Sequence, residues 1–593
     1  MPFFDIAVIG GGHAGIEASF IGASLGLKIA FITADKNKLG YPSCNPSIGG
    51  IAKSHLVFEL DVFGAMMPQT TDKTSIHSKL LNSSKGPAVW SLRSQIDSTG
   101  YPKEAARRIS SFPNIELIED EAVNVAVKEN RAVGVVCEKR GLIEAKGIVL
   151  ATGTFLNGVI FIGRESFKAG RYGEPSSVKI SESLVKMNIG LMRLKTGTPA
   201  RAYRSSIDFS KLEVQDGEDD AGSFSILSKD AANNVEKCFI GRTNPLTHEI
   251  IRKNLHLSAL YSGLITGVGP KYCPSIEDKV VRFEGRDSHN VFIEPMGKDS
   301  ELVYINGTSS SLPEEVQYEF LRTINGLERI KFSQPGYAIE YDAIKSRQLK
   351  PTLETKRIEN LFMAGQINGT SGYEEAASQG FVAGLNCALK ALGREEIIFD
   401  RYTSYIGVLT DDITKKEIKD PYRLFTSRAE NRLALRQDNN FIRLLKSAER
   451  INLMNDSVNE YKKLYEEYSS MSNNFFDDEG FLRQKHRELN DPSRSFEDFR
   501  KIFPQNSRRA ALALYSEIKY AGYIERYRKV TRRILECGDL SIKNKELLLS
   551  SAIVSKEAKE ILTDDRIEKI KDLYGRIDPS DIENIVFVIK KRV

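Results

Sequence analysis

Six cysteines occur in the 593 residues, at positions 44, 137, 238, 273, 387 and 537, and two of them sit where a thiol can do chemistry. Cys44 lies in Ser43-Cys44-Asn45-Pro46-Ser47-Ile48-Gly49-Gly50, and Cys273 directly precedes Pro274. Asn45 is a favoured helix N-cap and Pro46 fits a first helical position, so a helix is expected through Ile48, Ile51, Ala52, His55, Leu56 and Glu59, with Cys44 just ahead of it. A helix starting near Pro274 would give Cys273 the same electropositive neighbourhood. A helix dipole contributes about 0.3–1 kcal/mol, whereas one pKa unit is worth about 1.4 kcal/mol. The dipole alone therefore cannot ionise a thiol of ordinary pKa, about 8.5, at neutral pH. A cation such as Lys53, Lys271 or Arg282 has to help. A buried, inert thiol is the commoner state of a cysteine. Two proline-adjacent cysteines, one of them close to nucleotide-binding elements, weigh toward function. Either they meet in space as a redox pair, or a thiolate adds to an electrophilic carbon while a bound cofactor handles electrons. Cys44 has no partner within ten residues, unlike the near-contiguous pair of flavin disulfide reductases.

The elements that must position these thiols begin at the N-terminus. Asp5 to Ile9 reads as a buried parallel strand, Gly10-Gly11-Gly12-His13-Ala14-Gly15 follows, then a helical stretch from Ile16 to Leu25 and a second strand from Lys28 to Thr33. This is the βαβ setting in which G-x-G-x-x-G binds a dinucleotide. Gly10 allows the tight turn, Gly12 lets backbone approach a pyrophosphate, and Gly15 lets helix pack on strand, with helix amides holding phosphate. Asp35, two residues past the second strand, is a weak candidate for the ribose. Segments 116–124 and 132–138 read as strands of a β-meander turning at Lys128-Glu129-Asn130-Arg131. Gly147 to Thr154 is a buried strand ending in a glycine turn, and Leu361-Phe362-Met363-Ala364-Gly365-Gln366 is another ahead of a helix from Glu374 to Ala391. A fingerprint, an "ATG" strand and a late "FMAG" strand in that order resemble the FAD-binding scaffold of the glutathione-reductase superfamily. Gly267-Val268-Gly269-Pro270 starts like a second fingerprint but lacks its third glycine, so a dedicated nicotinamide domain is not expected.

The expected architecture is α/β: an FAD-binding Rossmann-like domain of glutathione-reductase type, an inserted α/β domain and an all-α C-terminal domain. The boundaries are 1–200 and 271–400 for the FAD-binding parts, 201–270 for a polar, acidic insertion, and 401–593 for the helical domain. In the last, Arg526, Arg528, Lys529, Arg532 and Arg533 interleave with Tyr520, Tyr523 and Tyr527, which reads first as a solvated helix face and second as a nucleic-acid patch. The formal charge of +5 is too mild to imply nucleic-acid binding by itself. No window approaches the roughly 20 apolar residues of a membrane span. No presequence pattern opens the chain, and the cysteines are too sparse for a disulfide framework. A reduced, cytoplasmic protein with no membrane contact and no metal site is expected.

Several long strings resemble one family, the tRNA uridine 5-carboxymethylaminomethyl modification enzymes (MnmG, or GidA). They are Gly269-Pro270-Lys271-Tyr272-Cys273-Pro274-Ser275-Ile276-Glu277-Asp278-Lys279-Val280-Val281-Arg282-Phe283, Ala364 to Gly380 ("AGQINGTSGYEEAASQG"), "SCNPSIGGIAKSHLV", "SSKGPAVWSLRSQ", "LKTGTPAR", "PGYAIEYD" and "YRLFTSRAENRLALRQDN". The match runs to about residue 440. The resemblance implies an FAD-dependent homodimer that pairs with a tRNA-modifying GTPase, MnmE, as a heterotetramer. It also implies addition of a carboxymethylaminomethyl or aminomethyl group to C5 of the wobble uridine of tRNA. Methylenetetrahydrofolate would supply the carbon, glycine or ammonium the amine, and NADH the reducing equivalents.

By the same resemblance the catalytic thiols are Cys44 and Cys273. FAD would be bound by Gly10 to Gly15, Val123, Ser177, the 269–283 stretch and Gln366. C5 of uracil is a poor nucleophile until a thiolate adds at C6. Cys273 is favoured for that addition and Cys44 as a supporting thiol that gives or takes a proton. Phe58 and Trp90 stand where relatives carry basic residues, which would reduce or move charge facing tRNA. The last 60 or so residues lack the family's usual ending, "GRIDPSDIENIVFVIKK" alone resembling it. Two other readings are a folate-dependent tRNA uracil-5-methyltransferase flavoprotein, which is shorter and lacks the helical C-terminal region, and a non-catalytic flavin- and tRNA-binding protein.

Overall fold

The computed structural model describes residues 3–228, 233–271, 274–477, 495–542, 545–564, 567–574, 576–577 and 579–590. Tyr272 and Cys273 lie outside the described residues. The strand Phe4–Ile9 (β1), with every residue but Asp5 buried, leads into α1 (His13–Ser24) and β2 (Ile29–Thr33). β1 is flanked in parallel by β2 and by β9 (Gly141–Leu150), with β6 (Ile115–Glu119) beyond β2 and β20 (Leu361–Met363) beyond β9. β9 has two roles. Gly141 to Glu144 pair antiparallel with β8 (Arg131–Cys137), completing a meander with β7 (Ala122–Lys128), while Ala145 to Leu150 enter the parallel sheet.

The single strand expected over 116–124 is two, β6 and β7, broken where Asp120 donates its amide to the Thr33 carbonyl. The expected hairpin turn is present, with Glu129 and Asn130 both at positive φ, 51° and 58°. The late helix α9 (Tyr373–Ala391) lies directly on α1. Gly380 and Gly384, one turn apart, face Ala14 and Ala18 so closely that any Cβ would strike the α1 backbone.

Between β2 and β6 the chain forms a small antiparallel sheet of β3 (Ser47–Gly49), β5 (Ser91–Ile96) and β4 (Ser75–Leu81), with α2 (Lys53–Asp61), α3 (Met66–Thr74) and α4 (Gly100–Ser110). The helix expected to start at Pro46 therefore starts at Lys53. Ser47 to Gly49 pair with Arg93 to Gln95, and Gly49, Gly50 and Ala52 take positive φ (93°, 97° and 64°), which keeps a right-handed helix from running through this stretch. Tertiary strand pairing overrides the Asn-Pro capping preference.

The inserted part has two further sheets. One, in the order β11 (Glu165–Lys168), β10 (Val159–Ile162), β19 (Tyr337–Ile344) and β12 (Leu191–Thr198), lies beside α5 (Lys179–Lys186) and links the insertion to the first domain. The other has six strands: β14 (Glu213–Gln215), β15 (Cys238–Arg242), β16 (Asn290–Pro295), β17 (Leu302–Asn306), β13 (Arg201–Tyr203) and β18 (Phe332–Gln334). It shares one core with α6 (Pro245–Lys253), α7 (Ile276–Arg282) and α8 (Glu314–Leu321), formed by residues from Ala202 to Ile330. The boundary expected at residue 270 thus falls inside this core, because α7 buries Ile276 and Val280 there.

Beyond α9 the described residues hold helices, turns and two isolated bridges, Thr370 with Tyr422 and Ser541 with Lys569. The first of these helices share the main core, which reaches Ile518, whereas residues from Ile542 to Ile585 form a separate small one. No change of core marks residue 401. Among the described residues no helix is long and apolar enough to cross a membrane.

Candidate functional site

The fingerprint forms as its spacing requires. Gly10 has φ of 110°, and a Cβ there would run into the carbonyl of Ala151, the residue following β9. A Cβ on Gly15 would strike the Gly10 carbonyl. Gly12 differs: a Cβ there meets nothing within 4 Å, and no side chain caps the α1 N-terminus that Gly12 begins. The first amides of α1 thus face open space, a cradle suited to the pyrophosphate of a dinucleotide. Gly11 packs against Thr33 and Leu39, and Ala14 against Gly365 of the "FMAG" turn. His13 is buried between the rings of Tyr101 and Tyr373, 5.4 and 4.7 Å away, and burial holds its imidazole neutral down to about 3.

The remaining expected cofactor residues fall into two groups. Val123 on β7 is half-buried, and Ser177 donates its amide to the Phe155 carbonyl, with its hydroxyl 3.4 Å from Glu121. Gln366 sits in the turn after β20, its Oε1 3.7 Å from the position of a Cβ on Gly153 of the "ATG" turn. Of these, Gln366 stands at the end of a parallel strand beside the "ATG" turn, whereas Val123 belongs to the meander and Ser177 bridges to Leu156 after that turn. The 269–283 stretch divides. Gly269 lies against Lys195, one residue after Val268 accepts the Lys195 amide, and Pro270 is buried; the Lys271 amide lies 3.4 Å from Asp420. Pro274 is half-buried, and Ser275 caps α7 through the Asp278 amide. Ile276 and Val280 enter the insertion core, Glu277 is fully buried on the Ser311 amide and Ser310 hydroxyl, and Lys279 donates to the Gly307 carbonyl. Val281, Arg282 and Phe283 are exposed. Ser275 to Phe283 are thus held by the insertion rather than beside the fingerprint. Asp35 spends its carboxylate on the Asn37 amide and on Lys38.

Cys44 is half-buried where four elements converge. Its backbone amide donates to the Tyr373 hydroxyl at 2.6 Å, and its Sγ lies 3.2 Å from the Tyr304 hydroxyl, which also meets the Thr198 hydroxyl at 3.3 Å. Burial pushes both tyrosines well above the ordinary phenol range, so each keeps its proton. The Arg201 guanidinium, only 5% exposed, donates from one nitrogen to the Ser43 carbonyl at 2.6 Å and lies 5.8 Å from the Tyr304 ring centre. The next two residues of α9 fix the rest of the cysteine segment. Glu374 accepts the Gly49 amide at 2.7 Å, and Glu375 pairs with Lys53 while accepting the Leu424 amide. Tyr373, Glu374 and Glu375 thus hold positions 44, 49 and 53 in turn.

Of the cations expected to assist the thiol, Lys53 pairs with Glu375, Arg282 faces Asp278 on α7, and Lys271 is exposed. Arg201, which was not expected, reaches the cysteine segment through the Ser43 carbonyl. Sequence reasoning missed Arg201, Thr198, Tyr304 and Tyr373; for all but Tyr304 the signal lay in the strings "LKTGTPAR" and "SGYEEAASQG", long enough to mark a site but silent about which residue meets Cys44. Cys137 and Cys238 are buried, which pushes their thiols up to about 12, and burial raises Cys387 further. Cys44 is the described cysteine with exposure and polar neighbours.

Phe58 is not on a surface that could face RNA: it is 9% exposed, 5.4 Å from the Phe224 ring, with Arg509 packed at 5.8 Å. Trp90 is half-buried and donates its ring N–H to the Ser83 carbonyl. Among the described residues, no group of three or more His, Cys, Asp or Glu side chains could hold a metal ion.

Comparison with known proteins agrees with this architecture. The family model of glucose inhibited division protein A matches residues 5–395. The chain is 45% identical over 550 residues to the tRNA uridine 5-carboxymethylaminomethyl modification enzyme MnmG of Sulfurihydrogenibium sp., covering 90% of this chain and 88% of that protein. It is 40% identical over 607 residues to the MnmG of Mycoplasma mobile, covering 100% and 98%. A crystal structure of Aquifex aeolicus GidA superposes with a TM-score of 0.87 at 40% identity, over 99% of this chain and 100% of that one.

Proposed function

The chain belongs to the glucose inhibited division protein A family, and from that premise we propose that it is an FAD-dependent enzyme that adds a carboxymethylaminomethyl or aminomethyl group to C5 of the wobble uridine of tRNA. The observation that carries the reading is the placement of Cys44: a half-buried thiol, against Tyr304 and Arg201, joined through Tyr373 and His13 to the dinucleotide fingerprint.

FAD suits this site because the space over Gly12 and the uncapped α1 amides can take its pyrophosphate, with Gln366 at the neighbouring strand end beside Gly153. When bound, FAD supplies hydride transfer and a carrier for the one-carbon unit. The protein's own residues do the rest. A thiolate from Cys273 adds to C6 of the uracil and makes C5 nucleophilic. Cys44, whose backbone and neighbours are fixed by α9, gives or takes the proton at C5. The Tyr304 hydroxyl, which stays protonated, donates to whichever anion forms beside it.

Methylenetetrahydrofolate as carbon donor, glycine or ammonium as amine donor and NADH as reductant complete the proposed reaction. A homodimer working with the GTPase MnmE in a heterotetramer, in the cytoplasm, completes the proposed assembly. The helical region after α9 supports this reading over the shorter uracil-5-methyltransferase flavoproteins. The test is reconstitution: purified protein, tRNA transcript, FAD, NADH, methylenetetrahydrofolate, glycine and the GTPase with GTP, followed by nucleoside mass spectrometry. A modified wobble uridine is expected. A methyl group at another uridine would contradict the assignment.

A further inference from the structure

Among the described residues, Arg201 is a buried cation without a buried anion. Its guanidinium is 5% exposed, and among the described residues no carboxylate lies within 4 Å of it. One nitrogen donates to the Ser43 carbonyl, while Nε and Nη1, both buried, have no hydrogen-bond partner. Burying an unpaired charge is costly, and proteins compensate such a charge with a counter-charge or a ligand. The phenols of Tyr304, Tyr337 and Tyr373 that feel this guanidinium are kept protonated by burial, which leaves Cys44, the residue after the carbonyl it holds, as the described neighbour able to carry the negative charge.

We propose that Arg201 holds Cys44 as a thiolate in the resting enzyme, with the Tyr304 hydroxyl donating to the sulfur. The thiol proton leaves to solvent through the half-exposed side of Cys44. Among the described residues, the groups that the sulfur meets agree with this assignment. Tyr304 on β17 is a neutral donor, Tyr373 on α9 a neutral phenol that accepts the Cys44 amide, Tyr337 on β19 a buried phenol also held protonated, and Arg201 on β13 the cation. The nearby carboxylates are engaged, Glu374 with the Gly49 amide and Glu375 with Lys53, so neither cancels the guanidinium. A thiolate beside arginine titrates in the range of about 3.5–7.5, against about 8.5 for a free thiol. Arg201 is therefore a positioning residue, acting on the reaction through Cys44. Use of the thiolate in catalysis rests on the function proposed above, but its existence does not.

The test titrates Cys44 in the flavin-bound protein without tRNA. Alkylation by iodoacetamide is followed against pH, with the Cys44 peptide quantified by mass spectrometry so that other thiols do not contribute. The wild-type midpoint is expected below that of a free thiol; a midpoint at about 8.5 or higher overturns the proposal whatever any variant does. In Arg201→Gln the midpoint is expected to rise and the rate at pH 7 to fall at least ~10-fold, one pH unit of midpoint being one decade of thiolate. Arg201→Lys is expected to fall between the two. Flavin absorbance reports whether each variant keeps its fold, and Tyr304→Phe gives a second, smaller upward shift if Arg201→Gln does not fold. An unchanged midpoint in flavin-bound Arg201→Gln, with weaker tRNA binding, would assign the guanidinium to a substrate anion and contradict the proposal. Loss of wobble modification with a normal Cys44 titration would count against the function instead.

Discussion

The backbone amide of Cys44 donates to the hydroxyl of Tyr373, across 329 positions of sequence. That bond joins the two most conspicuous strings in the chain, the cysteine segment and the start of α9, into one structure. Glu374 and Glu375 extend the clamp to Gly49 and Lys53, so the thiol is placed by a helix that also packs on the nucleotide-binding α1.

Breaking the clamp at its charged end costs stability. Glu375→Gln removes the carboxylate from Lys53 in a buried pair, and a loss of about 3–5 kcal/mol is expected in chemical denaturation. The double variant Lys53→Met/Glu375→Leu, which removes both charges, is expected to recover most of it. A single variant as stable as the wild type would show that the pair is not what holds this junction.

The fingerprint glycines separate binding from folding. Gly12→Ala puts a methyl group into open space, so the chain is expected to keep its thermal midpoint while losing FAD. Gly15→Ala drives a methyl group into the Gly10 carbonyl, and overpacking of about 1–3 kcal/mol should lower the midpoint as well. Flavin absorbance per protein and differential scanning calorimetry distinguish the two. Equal FAD content in Gly12→Ala and wild type would remove the cofactor from this cradle.

These glycines were legible in the sequence because all of them act within one βαβ unit. The environment of Cys44 was not, since Tyr304 and Tyr373 reach it from separations of 260 and 329 positions, and Arg201 reaches the preceding Ser43 from 158. The Asn45-Pro46 signal misled for a related reason: a local capping preference of about 1 kcal/mol yields to strand pairing with Arg93 to Gln95. The string from Gly269 to Phe283 read as one motif, but its two ends serve β12 and the insertion core.

A pH dependence follows from Glu17. Buried on α1 and accepting the Met66 and Met67 amides, its carboxyl is raised by burial from an ordinary 4.5 to about 7. The folded protein then holds a proton that the unfolded chain releases, so this stabilisation is full below about 4.5 and is lost as pH rises through 7. His13 and His55, lowered by burial to about 3, act with the opposite sign as pH falls below 6.5. The difference between wild type and Glu17→Gln isolates the first effect. The wild type's advantage is expected to shrink by up to about 1.4 kcal/mol per pH unit between 4.5 and 7. A constant difference across that range would refute it.

The helix Arg508–Glu536 presents Arg526, Arg528, Lys529, Arg532 and Arg533 to solvent. If this face carries tRNA, replacing Arg526, Arg528 and Arg532 by alanine weakens binding. It also lowers the slope of log K against log salt by roughly 0.7–0.9 for each phosphate no longer neutralised. Filter binding at several salt concentrations measures it. An unchanged slope would leave the face as a solvated helix surface.

The thiols carry the central claim. Cys273→Ser, with flavin retained, is expected to abolish modification, and Cys44→Ser to slow it by about 10²–10⁴-fold, the range of a lost proton-transfer group. The direct measurement is mass spectrometry of wobble nucleosides from cells lacking this protein, complemented with wild type, Cys44→Ser or Cys273→Ser. The account predicts that the modified uridine disappears on deletion, returns with wild type and fails to return with Cys273→Ser. Wobble nucleosides unchanged by the deletion, or fully restored by Cys273→Ser, would contradict it.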